Sequence, residues 1–417
     1  MGSPLFVRRH VLARMQSGPL LDERVRYLAY RTEQGMARQT LREMAEYLPV
    51  IAQYLHLTDR AGKPISRAEI EEQAILWAAQ PHRQKPTGSA RARKAFRRHA
   101  CAWLTFLGWL QPAVAAPHRY ASEIAAFAAF LKSEKGLAFS TIEGQCSLLR
   151  RLLDRLCPGT TSLHSIGVEQ IDEAMLGQAR EGKYARNTVH HCATALRTFL
   201  RFAGERGWCR AGLAAAIHTP RLFTQATIPF GPSWEEVRKL LASTERDRPD
   251  DIRDRALFLL LAVYGLRAGE LTKLRLDDFD WEREMVTVTS SKTGRTRTYP
   301  LAGFVGKAVL RYLKEVRPRT ALREVFLSRN APRRALDRSS LYVIVARRLR
   351  TVCPSLPRHG PHALRHACAT HLLEQGLSLK EIGDHLGHLH PDTTRVYAKV
   401  DLAQLRQVGD VDLGGVL

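Results

Sequence analysis

The first half of the chain carries apolar side chains at three- and four-residue spacing almost throughout, which restricts it to amphipathic helices packed on shared cores. The pattern comes twice. ERVRYLAYRTEQG, TLREMAEYLPVIAQYLHL, SRAEIEEQAILWAAQ and ARARKAFRRHACAWLTFLGWL form one group, and QPAVAAPHRY at 111–120 interrupts it. SEIAAFAAFLKSEKG, TIEGQCSLLRRLLDRL, GVEQIDEAMLGQA and NTVHHCATALRTFLRFAGERG form the second. GMARQTL at 35–41 matches GLAFSTI at 136–142, and the same shift of 101 carries Leu48 onto Leu149, Leu55 onto Leu156 and Ile70 onto Ile171. The triplet TFL at 105–107 recurs at 198–200, a shift of 93, which asks for one or two helical turns lost or gained between the groups. We read a degenerate duplication of one four-helix unit. The alternative is that any two helix bundles share apolar spacing.

After a Pro- and Thr-rich stretch, IHTPRLFTQATIPFGPS, the pattern changes. Ser233 followed by Glu236 predicts a capped helix, WEEVRKLLAS. ALFLLLAVYGL at 256–266 is too short to cross a bilayer and reads as a buried helix. EMVTVTSSKTGRTRTYPLAG predicts a β-hairpin around Lys-Thr-Gly, and helices return from YVIVARRLRTV onward. The expected fold is multidomain and mainly α, with a small antiparallel β-sheet in the last unit.

Charge narrows the partner. Sixty-four Lys and Arg against 41 Asp and Glu leave a net +23, and an Arg-rich surplus suits phosphate, so nucleic acid leads over membrane. The seven cysteines are scattered and form no CxxC pair, which points to a reducing cytoplasm rather than a disulfide framework. No secretory h-region opens the chain, and no GxxxxGK[ST] loop predicts ATP-driven chemistry.

Seven of the sixteen histidines fall between His359 and His390. His362 and His366 stand four apart, as zinc ligands on a helix do, but ALR lies between them and not the Glu-containing HExxH of a metalloprotease. Pro361 and Gly376 delimit a helix whose first turn holds His362 and Arg365 on one face, where free N–H groups favour phosphate. Ser378 with Glu381 predicts the next helix, Gly387 ends it, and Asp392 or Thr393 is placed to cap a short helix carrying Tyr397.

Four stretches, YGLRAGELTKL, SSKTGRTRTYPL, HALRHACATHLLEQG and LGHLHPDTTRVYAKV, resemble in order and spacing the tyrosine recombinases, the family of phage integrases, chromosome-dimer resolvases and some transposases. The resemblance spans about 190 residues, and more weakly the preceding helical unit. It implies a core-binding DNA domain at 116–216, a linker at 217–232 and a catalytic domain with its tail at 233–417, after an additional helical domain at 1–115 that is the possible duplicate.

The resemblance also implies roles: Tyr397 as nucleophile, Lys292 as general acid, His362 as acid/base, and Arg267, Arg365 and His388 as phosphate stabilisers. The implied product is a 3′-phosphotyrosine, made without metal or nucleotide cofactor. The implied partners are double-stranded DNA recombination sites, held by a homotetramer or with partner recombinases, in the bacterial cytoplasm on the nucleoid and not at a membrane. The chemistry fits these residue types, because forked guanidinium bonds strengthen as charge grows on phosphoryl oxygens. A type IB topoisomerase and a non-catalytic architectural protein are the other readings. His366 and His371 are expected to be packed or hydrogen-bonded within the fold, and His359, His385 and His390 to be solvated or to touch phosphate. Arg91, Arg93, Lys94, Arg97, Arg186, Arg197 and Arg201 are candidates for the DNA backbone, and the tail after Tyr397 for docking on a neighbouring protomer.

Overall fold

The computed structural model describes residues 17–60, 62–79, 90–112, 118–159, 162–180, 186–218, 230–290, 294–390 and 392–399. The chain divides into two compact units, one of residues 1–111 with 227–417 and the other of residues 112–226. Among the described residues no helix is long and apolar enough to cross a membrane.

In the first unit, α1 (Leu21–Glu33), α2 (Arg38–Tyr54), α3 (Arg67–Ala79) and α4 (Ala90–Leu107) form a bundle. Its core is Leu48, Ile51, Ile70, Phe96 and Trp103, all removed from water. The second unit is also a bundle: α5 (Ala121–Ser133), α6 (Phe139–Leu156), α7 (Val168–Arg180) and α8 (Arg186–Glu205) close on Phe127, Leu149, Leu153, Ile171 and Phe199.

The rest of the first unit is built around α10 (Pro249–Val263), which follows α9 (Trp234–Ala242). Ser233 and Glu236 cap α9 reciprocally, as their spacing predicts. The run from Ala256 to Ala262 is buried on every side of α10. Other elements surround it: α12 (Gly303–Glu315), α13 (Arg338–Val352) and α14 (Pro361–Glu374). A cluster of paired charges is buried at the edge of this core. Asp254, fully buried, receives Arg253 at 2.7 Å and Arg348 at 3.1 Å, and Arg348 also reaches Asp251.

The short α11 (Ala268–Leu271) leads into an antiparallel sheet of order β1 (Phe279–Asp280), β2 (Met285–Thr289) and β3 (Thr296–Pro300). Val286 pairs with Tyr299, and both face the core with Val288. This is the predicted hairpin, with one further strand. Finally α15 (Leu379–Leu386) follows the Ser378–Glu381 capping box and stops at Gly387 in the left-handed region, φ +66°. The helix expected to bear Tyr397 differs: α16 (Asp392–Arg395) ends first, and Tyr397 sits on the tighter turn Val396–Lys399.

Candidate active site

Two arginines on different elements are tied to the same stretch of backbone. Arg365, in the first turns of α14, is 1% exposed; Nη2 donates to the Leu386 carbonyl at 2.8 Å and Nη1 to the Gly265 carbonyl. Arg267 caps α11, and its Nη2 donates to the next carbonyl, Gly387, at 3.1 Å. Each arginine thus draws on a carbonyl set by a left-handed glycine, Gly265 at φ +57° or Gly387 at φ +66°. A side chain at either position would be strained by the positive φ and would displace a neighbour: a Cβ on Gly265 would lie 2.3 Å from the Leu386 side chain, and one on Gly387 2.4 Å from the Arg297 guanidinium.

Glu270 fixes the second arginine. Its carboxylate is buried, accepts from the Arg267 backbone N–H and from Nη1, both at 2.9 Å, and pairs with Arg297 on β3 at 3.0 Å. Sequence reasoning passed over Glu270, although an acid three residues after the N-cap position is a capping signal. Burial, and then the charge of Arg267, pulls the Arg365 guanidinium down to about 10, so it remains a cation at neutral pH.

The tyrosine is enclosed. Tyr397 is 2% exposed and packs with Cys368, Leu373, Ile382 and Leu386. Burial pushes its phenol up to about 12, against the pull of Arg365. Its hydroxyl lies 2.8 Å from Nδ1 of His366, one turn after His362, the expected acid/base. His366 is itself held down to about 4 by burial, then by His362, Arg365 and Arg358. Both groups are therefore neutral at pH 7, and a hydrogen bond joins the phenol hydroxyl to Nδ1. Helix geometry accounts for the contact. His362 and His366 are one turn apart, with rings 4.4 Å apart, and the turn carrying Tyr397 meets the later of the two. His362 sits in the first turn of α14, its pKa lowered by desolvation, then by Arg365, Arg267 and Arg358.

His388 stands beside both arginine anchors. Nδ1 lies 2.7 Å from the hydroxyl of Thr394, which is itself buried. Burial first, then Arg365, Arg267, Arg297 and His362, pulls His388 down to about 3, so it too is neutral. The structure therefore brings Arg267, His362, Arg365, His388 and Tyr397 to one locality, and adds Glu270, Arg297, His366 and Thr394. Lys292 lies outside the described residues, as does the tail from residue 400 on.

The lesser expectations divide. His385 is neither solvated nor free: Nε2 meets the Val263 carbonyl at 3.2 Å. His359 is half-buried and meets the Cys353 carbonyl at 3.1 Å. His390 is exposed, and His371 packs flat on Trp234, with 3.9 Å between ring centroids. Of the DNA-backbone candidates, Arg91, Arg93, Lys94, Arg97 and Arg201 are exposed. Arg197 instead donates to the Ile217 carbonyl at 2.6 Å, and nothing is described of the Arg186 side chain. Among the described residues no group of three or more His, Cys, Asp or Glu side chains is arranged to hold a metal.

Comparison with known proteins places this geometry. Residues 233–404 match the phage integrase family, and residues 124–207 match the phage integrase N-terminal SAM-like domain. The chain is 36% identical over 292 residues to the putative integrase/recombinase y4rA of Sinorhizobium fredii, covering 70% of each chain. It is 31% identical over 288 residues to the tyrosine recombinase XerD of Listeria monocytogenes, covering 68% of this chain and 95% of the relative. Among solved structures, XerH bound to a palindromic difH substrate superposes with a TM-score of 0.53 at 17% identity, covering 82% of this chain and 96% of that one. The Tn1549 transposon integrase with circular intermediate DNA gives 0.52 at 19% identity, covering 69% and 99%. Both solved structures share the fold.

Proposed function

Because the chain belongs to the phage integrase family of tyrosine recombinases, it cleaves and rejoins DNA strands, and we propose that Tyr397 is the nucleophile that does so. The reading is supported above all by the contact between the Tyr397 hydroxyl and His366, with two anchored arginines and His388 in the same locality. The phenol oxygen attacks a DNA phosphorus, its proton passes to Nδ1 of His366, and the bond from phosphorus to the 5′-oxygen breaks. A 3′-phosphotyrosine and a 5′-hydroxyl result, with Lys292 returning a proton to the departing oxygen. Rejoining is the reverse, with a different 5′-hydroxyl as attacker. Arg267, Arg365, His362 and His388 hold the non-bridging oxygens, whose charge grows in the transition state. By this reading four protomers pair two recombination sites on the nucleoid, and the tail beyond Tyr397 docks on a neighbour.

A library of nicked duplexes tests the assignment. When the strand end is lost by diffusion, the full chain in EDTA should accumulate a covalent adduct. Trypsin should release the linked nucleotide on residues 396–399, which hold a single tyrosine between Arg395 and Lys399. An adduct on any other peptide would remove Tyr397 from the mechanism.

His366→Gln separates a proton acceptor from a packing residue. General-base help is worth about a hundredfold at the lower end of its usual range, so single-turnover cleavage at pH 7 should fall by about that factor. A neutral His366, held down to about 4, is already competent at pH 5, so the wild-type rate should not collapse between pH 7 and pH 5 on its account. The variant should instead slow further as the pH falls, since water or hydroxide must then take the proton. Parallel pH profiles would return His366 to a structural role.

A further inference from the structure

The four helices α1–α4 repeat those of α5–α8 one by one. Their lengths run 13, 17, 13 and 18 residues against 13, 18, 13 and 20. The joints repeat too. Gly35 and Gly136 take positive φ after the first helix, and Ala37 and Ala138 enter the second with φ −62°, ψ 140° and φ −64°, ψ 144°. Buried Leu48, Ile51, Leu55, Ile65 and Ile70 stand where Leu149, Leu152, Leu156, Ile166 and Ile171 are buried, a constant shift of 101.

The last helices close alike. Gly108 and Gly207 take φ +73° and +72°, and Trp109 and Trp208 each donate back to the carbonyl five residues earlier, at 2.9 Å. That sets the final register at a shift of 99, and it carries buried Ala100, Trp103 and Leu104 onto buried Phe199, Phe202 and Ala203. The TFL triplets, 93 apart, are therefore not equivalent positions. Shared helical spacing alone would not reproduce the joints.

The copies differ in what the last helix shows to solvent. Helix α4 buries Phe96, His99, Ala100, Trp103 and Leu104, and it carries Arg91, Arg93, Lys94, Arg97 and Arg98 exposed, with no acid in its length. Two carboxylates face these five cations: Glu71 pairs with Arg97 at 2.7 Å and Arg93 at 3.3 Å, and Glu43 pairs with Arg98 at 3.0 Å. Arg91 and Lys94 have no ion-pair partner among the described residues. Lys94, Arg97, Arg98 and Arg67 line a trough of about 680 Å³ beside Glu71. From residue 91 to 98 the helix rises about 10 Å, which spans about three phosphate steps at ~3.4 Å per strand.

We propose that α1–α4 are a second copy of the bundle fold and that α4 is an additional grip on the DNA backbone, outside the two segments that match the family. The proposal rests on duplex DNA being the partner. Each phosphate neutralised adds about 0.9 to the slope of log affinity against log salt, so the full chain bound to duplex DNA reads the contact directly.

Arg91→Gln, Arg93→Gln, Lys94→Gln and Arg97→Gln together should lower that slope by about two to three. Glu71→Gln should raise both slope and affinity, an effect a folding defect cannot produce. Unchanged slopes in both variants would overturn the proposal. Unchanged slopes with weakened self-association would overturn it too and assign the face to protein contact. A wild-type chain that binds duplex yet forms no adduct would instead count against Tyr397 chemistry and leave the grip standing.

Discussion

Tyr397→Phe is expected to abolish the covalent protein–DNA product while leaving DNA binding within a few-fold of wild type. The substitution removes one oxygen from a side chain that is 2% exposed, and the ring still fills the space among Cys368, Leu373, Ile382 and Leu386. Its structural cost is the lost partner of His366 Nδ1, about 1–3 kcal/mol for a buried polar group left unpaired. That is a modest change in melting temperature for a chain of 417 residues. The chemical cost is total, since no atom remains to bond phosphorus. Denaturing gels of nicked-substrate reactions give the first readout and mobility shifts the second. A covalent band of wild-type intensity from the variant would place the nucleophile elsewhere.

Arg365→Lys should slow single-turnover cleavage by about 10²- to 10³-fold, the range for losing one charge-stabilising donor in a closed site. Arg365 spans Gly265 and Leu386 with two arms of one planar fork, which a single ammonium does not reproduce. A second effect adds to this. The surroundings that pull a guanidinium down to about 10 act on an amine whose ordinary value is only about 10.4, and bring it toward neutrality at working pH. The variant rate should then improve as the pH is lowered from 8 to 6, because protonation restores the charge. A loss under tenfold, or no such pH dependence, would contradict this account of the arginine.

Regular periodicity and caps were readable from the sequence. Ser233 with Glu236, Ser378 with Glu381, Pro361 at the start of α14 and Gly387 past the end of α15 all sit where spacing alone puts them. The hairpin followed from alternation on either side of Lys-Thr-Gly. What could not be read was which of two histidines, one turn apart, meets the tyrosine. That depends on how the turn Val396–Lys399 lies against α14, a tertiary fact with no local pattern behind it. The ties of His385 and His359 to the Val263 and Cys353 carbonyls were hidden for the same reason. Glu270 was legible as a cap but not as a link between Arg267 and Arg297, because Arg297 arrives from the sheet.

The arginine anchors carry a consequence for synthesis of the chain. Arg365 is tied to a carbonyl 100 residues before it, and Arg267 to one 120 residues after it. At about 5–20 residues per second, Arg267 is added to the chain roughly 6–24 s before the backbone that orients it has been made. A chain truncated before Gly387 therefore lacks the anchor for Arg267 as well as the tyrosine. Prematurely terminated products would leave DNA uncut, with no inhibitor required to restrain them.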